Sequence, residues 1–406
     1  MTLPLRPKLR SLDIRPVEHE GQPFFRFSDP QQLVDGYLLV PQPLAMVLAF
    51  CDGRRTIPEM CHAFERYYSV SIETSIVEDL FQALDQATML DNERAQAARS
   101  DAIKQFRSAP FRESNLAGRS YPAEPRQLWN YLQNYLEQAD VESAVVDWSK
   151  PVGLLSPHID YPRGGAVYAQ VWKRAAEAAR QAEQVILIGT DHYGDDSFTL
   201  TRQHYATPYG VLPTAQQLVD PLVEVIGERA AFAGELRHQS EHSLDLVAVW
   251  LHHLRGGQPV EMLPMLVGSL RSTTNGSGDP TMHKIVSGVL EVLRQTCETK
   301  RTLVIASGDL AHVGPAFGGE PLDEQGKAQI KASDYLLLNQ MRKGDSQGFY
   351  RTIHSQNNRN NVCGVTPIFL TMQTLNDLPG QQFGYAVCPA DEANKSIVTV
   401  AGVFFS

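Results

Sequence analysis

Cysteine is scarce in this chain, and it is unpatterned. Five cysteines in 406 residues, Cys51, Cys61, Cys297, Cys363 and Cys388, are an odd number without CxxC spacing. That excludes a disulfide framework and a Cys-rich zinc module. A reducing compartment fits best, and a cytoplasmic location is expected. Long apolar runs are missing too: no stretch approaches the roughly 18 residues of a membrane span. The N-terminus, MTLPLRPKLRSLDIRP, has basic residues but no apolar h-region, so no signal peptide is expected. Positive charge is not in excess either. Lys plus Arg number 36 against 46 for Asp plus Glu, a net charge of −10. Phosphate neutralisation needs a basic surface, so a general nucleic-acid partner is not expected. No GxxxxGK[ST], Rossmann GxGxxG or GxSxG motif is present, and Gly164-Gly165 alone is a weak phosphate-loop signal.

What is present is globular: 43% apolar and 20% charged residues, with length enough for two or three domains. The first 95 or so residues differ from the rest. Short strands are expected at Phe24–Phe27 and Tyr37–Val40. Helices are expected at Pro43–Cys51, ending at Asp52-Gly53, at Ile57–Tyr68 with Thr56 as N-cap and Pro58 in its first turn, and at Ile72–Leu90. In the last, Ile76, Val77, Leu80, Leu84 and Ala87 share a face. Helices plus a small hairpin predict a winged-helix module over residues 1–95. Residues 96–115 read as a polar linker and 116–406 as a second domain.

In that domain strands alternate with helices. Strands are expected at Val152–Ser156, Val185–Ile188, Phe198–Thr201, Glu261–Val267, Thr302–Ala306, Gly384–Val387 and Ile397–Phe405. Helices are expected at Gly165–Ala182, Gln217–Arg229, Ser243–Leu254, Met282–Cys297, Lys327–Met341 and Pro367–Leu375. The alternation predicts an α/β fold, a mainly parallel or mixed sheet with helices on both faces. Sites in such folds lie beyond the carboxyl ends of the strands.

Chemistry-bearing residues fall at those ends. PHIDYPRGG places His158 directly after a strand, and TDHYG does the same for Asp191 and His192. SGDLAH puts Asp309 and His312 after TLVIA, and SEHSLDL puts Glu241 and His242 before a helix. Cys363 opens CGVTPIFLTMQ, where a helix dipole would lower a thiol pKa. Two imidazoles and a thiolate brought together would bind a soft or borderline metal such as Fe, Cu or Zn, not Mg or Ca. Carboxylates beside them would orient the rings or move protons. As rim residues, Asp309, Glu241 and His312 are expected to be surface-like. The same holds for His252-His253, late in its helix. The other four cysteines read as small buried hydrophobes.

At these residues the chain resembles the Memo family, specifically the Memo-like protein B of AmmeMemoRadiSam systems. Ten ordered segments carry the likeness over about residues 112–406: RESNLAGRSYPA, LLSPHIDYPRGG, ILIGTDHYG, TPYG, SEHSLDL, PMLVGSL, ASGDLAHVG, LDEQG, VCGVTPI and VTVAGVFF. The resemblance implies a fold related to class III extradiol dioxygenases, which use non-haem Fe(II). It places metal ligands on His158, His192 and Cys363, and pocket residues on Glu241, His242, Asp309 and His312. Three positions depart from the family pattern: Ile159-Asp160 for Ala-Gly, Tyr193 for the second His, and Val365-Thr366 for Arg-His. Residues 1–95 resemble PqqD-like peptide-recognition modules, through apolar spacing and the Asp52-Gly53 turn.

Three readings follow. The first is a metal-dependent redox or dioxygenase-type enzyme, with Fe(II), or else Cu or Zn, at His158, His192 and Cys363, and Asp309, His312, Glu241 and His242 binding substrate or moving protons. A radical-SAM protein and an AMMECR-like protein would be its partners, with a peptide on the N-terminal module. The second is a non-catalytic metal- or peptide-binding partner protein. The third is a zinc-dependent hydrolase, since His2Cys plus water is a known catalytic zinc set.

Overall fold

The computed structural model describes residues 3–33, 36–194, 196–270 and 279–406. Two compact units divide the chain, residues 1–109 and 110–406.

The first unit begins with an antiparallel meander, β1 (Asp13–His19), β2 (Gln22–Ser28) and β3 (Tyr37–Pro41). Helices α1 (Gln42–Val47), α2 (Ile57–Tyr68), α3 (Thr74–Gln86) and α4 (Glu93–Ser108) follow. Helix α2 starts as its sequence predicts. Thr56 and Glu59 form a reciprocal capping box, which satisfies two backbone donors at the helix start. Helix α3 buries Val77, Phe81 and Leu84 against Phe27, Met60 and Phe64. Ile76 is 45% exposed, so the apolar face is turned from the expected stripe and centres on Phe81. Residues 96–108, read from sequence as polar linker, lie within α4. Asn92 caps that helix by accepting from the Ala95 amide, and only Ala95 and Phe106 along it are buried.

The second unit is a three-layer α/β/α structure. Among the described residues its sheet contains β4 (Val152–Ser156), β5 (Gln184–Thr190), β6 (Thr199–Leu200), β9 (Glu261–Val267), β10 (Thr302–Ser307), β11 (His312–Val313), β12 (Gly380–Pro389) and β13 (Ile397–Phe405). A separate hairpin is made of β7 (Tyr205–Thr207) and β8 (Gly210–Leu212). The sheet centre, β4-β10-β5-β9, is parallel. Strand β13 joins β4 antiparallel and in turn pairs antiparallel with β12 and β11, and β6 joins β9 antiparallel on the other side, so the sheet is mixed.

Strands covered on both faces read as unbroken apolar runs. Alternate residues then feed two cores. Leu154, Val185, Leu187, Leu303 and Ile305 pack with α5 (Pro125–Gln138), α6 (Tyr161–Arg174), α7 (Ala176–Gln181) and α10 (His242–Leu254). Leu155, Ile186, Ile188, Val304 and Ala306 face the other way. They pack with α8 (Gln216–Ile226), α11 (Lys284–Thr299), α12 (Glu324–Lys343), α13 (Ser346–Ser355) and α14 (Val365–Thr374). A short turn of helix, α9 (Glu228–Ala231), follows α8. The sequence pattern misses α5 and α13. Helix α5 buries only Leu128, Leu132 and Leu136, with Tyr131 and Tyr135 packed half-buried beside them, a narrow stripe in a polar run.

Candidate metal centre

Strand β10 lies between β4 and β5, with Ser156 and Gly189 both in register with Ser307. The three strands point the same way, so the loops that follow them emerge side by side. His158 comes from the first, His192 from the second, and Asp309 between them.

His158 is 1% exposed. Its amide donates to Asp309 Oδ1 at 2.8 Å. The ring Nδ1 lies 3.1 Å from Ser307 Oγ. The Ser307 hydroxyl already donates to the Ser243 carbonyl at 2.5 Å, so it accepts from the ring. Nδ1 therefore carries the proton, and Nε2 keeps a lone pair. That nitrogen sits 3.2 Å from Cys363 Sγ. Burial, reinforced by His192 and His242, pushes the His158 pKa well below the ordinary histidine value.

His192 is held the same way by a different group. Its amide donates to Glu241 Oε2 at 2.9 Å, and Nδ1 donates to Glu241 Oε1 at 2.9 Å. Glu241 is fully buried. Desolvation raises its pKa, but His192 and His242 outweigh that and hold it well below the usual carboxylate range. Conversely, burial opposes charge on His192, yet Glu241 and the Cys363 sulfur hold its pKa well above the ordinary value. The His192 side chain is 25% exposed, so this flank of the cluster opens to solvent. His242 Nδ1 lies 3.1 Å from the same Glu241 oxygen, and its ring stacks on His192 at 4.6 Å.

Cys363 reaches the cluster through a backbone crossing. A Cβ on Gly308 would meet Gly364 Cα at 2.6 Å, so the two loops touch only because both residues are glycine. The Gly364 amide donates to the Asp309 carbonyl at 3.0 Å, and Thr190 Oγ1 donates to the Cys363 carbonyl at 3.1 Å. The ligand atoms of His158, His192 and Cys363 all lie within 4.8 Å of one another. His192, Glu241 and His242 form a second group within the same limit. There the hydrogen bonds account for the proximity, because Glu241 Oε1 accepts from both rings and from the Ser243 amide at 3.0 Å.

Asp309 and His312 complete the surroundings. Burial pushes Asp309 up to about 6, against the lowering effect of the His158 amide. Burial pulls His312 down to about 4, helped by the charge of His192. Its ring packs on Phe317 at 5.2 Å.

Several expectations change here. Glu241 and Asp309 are 0% and 2% exposed, not surface-like, because both sit under the histidine loops and accept backbone amides. Burial raises the Cys363 thiol pKa, where a helix dipole was expected to lower it. His252 and His253 are buried; Thr207 Oγ1 and Tyr209 OH lie 2.7 and 3.1 Å from their Nδ1 atoms. Gly164 and Gly165 serve packing, since a Cβ would meet Ile159 at 2.3 Å and the Tyr135 ring at 2.5 Å.

Other site residues escape the sequence pattern. Arg112 is buried, pairs with Asp245 and lies over the Tyr205 ring at 4.9 Å. Tyr121 donates to the same carboxylate, and Asn115 to the Gln239 carbonyl. The polar residues of RESNLAGRSYPA thus bolt that segment to the turn before Glu241. Ser307 and Ser243 were equally hidden, as single hydroxyls in apolar runs. Only the position of Arg112 at the head of a matching segment signalled it.

Comparison with known proteins identifies the family. The profile described as "Memo-like protein" matches residues 112–402, which include every residue of the cluster. A MEMO1 family protein of Aquifex aeolicus is 24% identical over 409 residues, covering 99% of this chain and 100% of its own length. A MEMO1 family protein of Thermus thermophilus is 28% identical over 301 residues, covering 72% of this chain and 82% of its own. A memo-1 homolog of Caenorhabditis elegans is 25% identical over 277 residues, covering 64% and 70%. With the profile spanning nearly all of the second unit, the chain belongs to the Memo-like protein family.

Proposed function

We propose that this protein binds a first-row transition metal, iron before copper or zinc, and supports dioxygenase-type redox chemistry within a radical-SAM-associated modification system. One observation carries the reading. Both imidazoles are fixed through Nδ1, His158 by Ser307 and His192 by Glu241, so each offers Nε2 for coordination near Cys363 Sγ. A histidine with its second nitrogen held by a carboxylate or hydroxyl is the arrangement that orients metal ligands. The donor set fits a soft or borderline ion, and a bound cation would offset the burial that keeps the Cys363 thiol protonated.

His158, His192 and Cys363 would hold the ion. Three protein ligands leave positions for substrate or dioxygen, and the metal would supply electron transfer there. The chain's own residues do the rest. Glu241 orients His192 and balances its charge. His242 uses Nδ1 on Glu241, which leaves Nε2 to hold or move a proton. Asp309, shifted to about 6, positions the His158 amide and can exchange a proton near neutrality. His312 stays neutral and can accept a hydrogen bond from substrate.

A second reading, a metal- or peptide-binding partner without turnover, draws on Glu241 and Asp309. Both are committed to holding the histidine loops, which leaves fewer groups for acid–base work. On either reading, a radical-SAM protein and an AMMECR-like protein are the proposed partners, with a peptide on the N-terminal unit by strand addition to the meander edge. The test is anaerobic Fe(II) loading of the full chain, then exposure to O2 with a catechol or a candidate peptide. Substrate-dependent oxygen uptake is expected. Stoichiometric iron with no uptake would favour the binding reading, and failure to hold iron or any soft metal would overturn the metal site and leave only the peptide-binding form of the second reading.

A further inference from the structure

We infer that Arg237 is a positioning residue that sets the His192–Glu241 pair; this rests on the metal-centre reading above. Arg237 lies in the turn before α10, and its side chain is only 7% exposed. Its Nε donates to Asp191 Oδ2 at 2.7 Å. Its Nη2 donates to Asp196 Oδ2 at 2.5 Å and to Thr199 Oγ1 at 3.1 Å. Asp191 and Asp196 bracket the His192 loop in sequence, so one guanidinium grips that loop at both ends. The backbone of the same residue holds the partner: the Arg237 carbonyl accepts from the Glu241 amide at 2.9 Å. Arg237 thus ties the loop that carries the imidazole to the turn that carries its carboxylate.

The surroundings are shaped for that fork. A Cβ on Gly194 would fall 2.3 Å from the guanidinium carbon, and one on Gly234 would fall 2.0 Å from Nη2. Glycine in TDHYG is therefore explained by room for an arginine 43 positions later. The Asp191 amide is fixed as well, donating to Val267 O at 2.9 Å, which anchors the backbone at that arm of the fork. A planar fork with several donors matches two carboxylates and a hydroxyl; an ammonium would reach one at a time.

The experiment uses the full chain and two readouts. One needs no metal: the proton on His192 Nδ1, held by Glu241, is followed by NMR beside that on His158 Nδ1. The other is Co(II) titration, reading affinity and the sulfur-to-metal charge-transfer band. Arg237→Gln is expected to broaden the His192 proton into solvent exchange while the His158 proton persists. Co(II) affinity should fall about 10–100-fold, the usual cost of losing an outer support. Arg237→Lys should recover part of both. Should Arg237→Gln fail to fold, Asp196→Asn removes only the outer arm and should move both readouts the same way, by less. Retention of both protons with Co(II) affinity within about twofold in every folded variant overturns the inference. If the wild-type chain shows the His192 proton but takes no Co(II), the metal reading falls and Arg237 is judged on the proton alone.

Discussion

The loop after β4 and the loop after β5 solve one problem with different chemistry. Each presents an imidazole beyond a parallel strand, and each holds it by its amide and its Nδ1. At His158 the Nδ1 partner is Ser307, a neutral hydroxyl, and the ring is sealed. At His192 the partner is Glu241, an ionised buried carboxylate, and the ring is partly open. Geometry is shared; charge is not. His158 is kept neutral and His192 is poised to be charged, so the two pKa values move in opposite directions from the ordinary value although the ring centroids are 5.0 Å apart. A neutral hydroxyl suffices to fix a tautomer. A carboxylate also increases the ring's basicity, which strengthens a donor on the side open to solvent.

The sharpest break in that comparison is removal of what the two rings share. Cys363→Ser should cost more Fe(II) or Co(II) affinity than the roughly 10–100-fold of an outer support, because a hydroxyl supplies neither charge nor softness. Cys388→Ser, buried on β12, should leave metal content unchanged; equal metal in the two variants by elemental analysis would sink the assignment.

Glu241→Gln comes next. The amide group would have to turn its NH2 toward a donor, since both Glu241 oxygens accept from N–H groups. Breaking one partner of a buried pair costs about 3–5 kcal/mol, and the partly open His192 places this one at the lower end, which denaturant unfolding would register. A variant as stable as wild type would mean that the carboxylate charge is not held there.

Ser307→Ala probes the neutral side and should cost less, about 1 kcal/mol for one hydrogen bond, with a smaller loss of Co(II) affinity. A larger effect here than at Glu241 would invert the comparison.

The smallest effect is in the pH dependence of chelator-treated protein. His158 has a folded pKa below 6.5, so its contribution erodes as pH falls below 6.5. His192 has a folded pKa above 6.5; its contribution is full below 6.5 and fades as pH rises through the folded value. His158→Asn should flatten the acid side of the stability curve, and His192→Asn the alkaline side. Urea midpoints that shift the other way round would refute the assignment of charge.

Much was legible without coordinates. The runs VGLLS, QVILIGT and TLVIAS are apolar throughout because each strand is buried on both faces, and such runs announce a parallel centre. His158, His192 and Asp309, just after those runs, stood where the ends of such strands place functional groups. Polar helices with a thin apolar stripe, α4 and α5, were not legible, since so few of their residues meet a core. Nor was the depth of Glu241, Asp309, His252 and His253. A charged or polar residue reads as exposed until the partners that make burial tolerable are known.

The sequence by itself determined the α/β class, the strands at the sheet centre and the identity of His158, His192 and Cys363 as residues to watch, because periodicity and local order need no distant partner. Only the tertiary structure decided their electronic state. Which nitrogen carries a proton depends on Ser307 and Glu241. Where His192 points depends on Arg237. How close Cys363 comes depends on Gly308 meeting Gly364. Those partners lie 45 to 149 positions away for His192 and His158. Pairings that distant are set by the order of strands in the sheet, which local sequence does not encode.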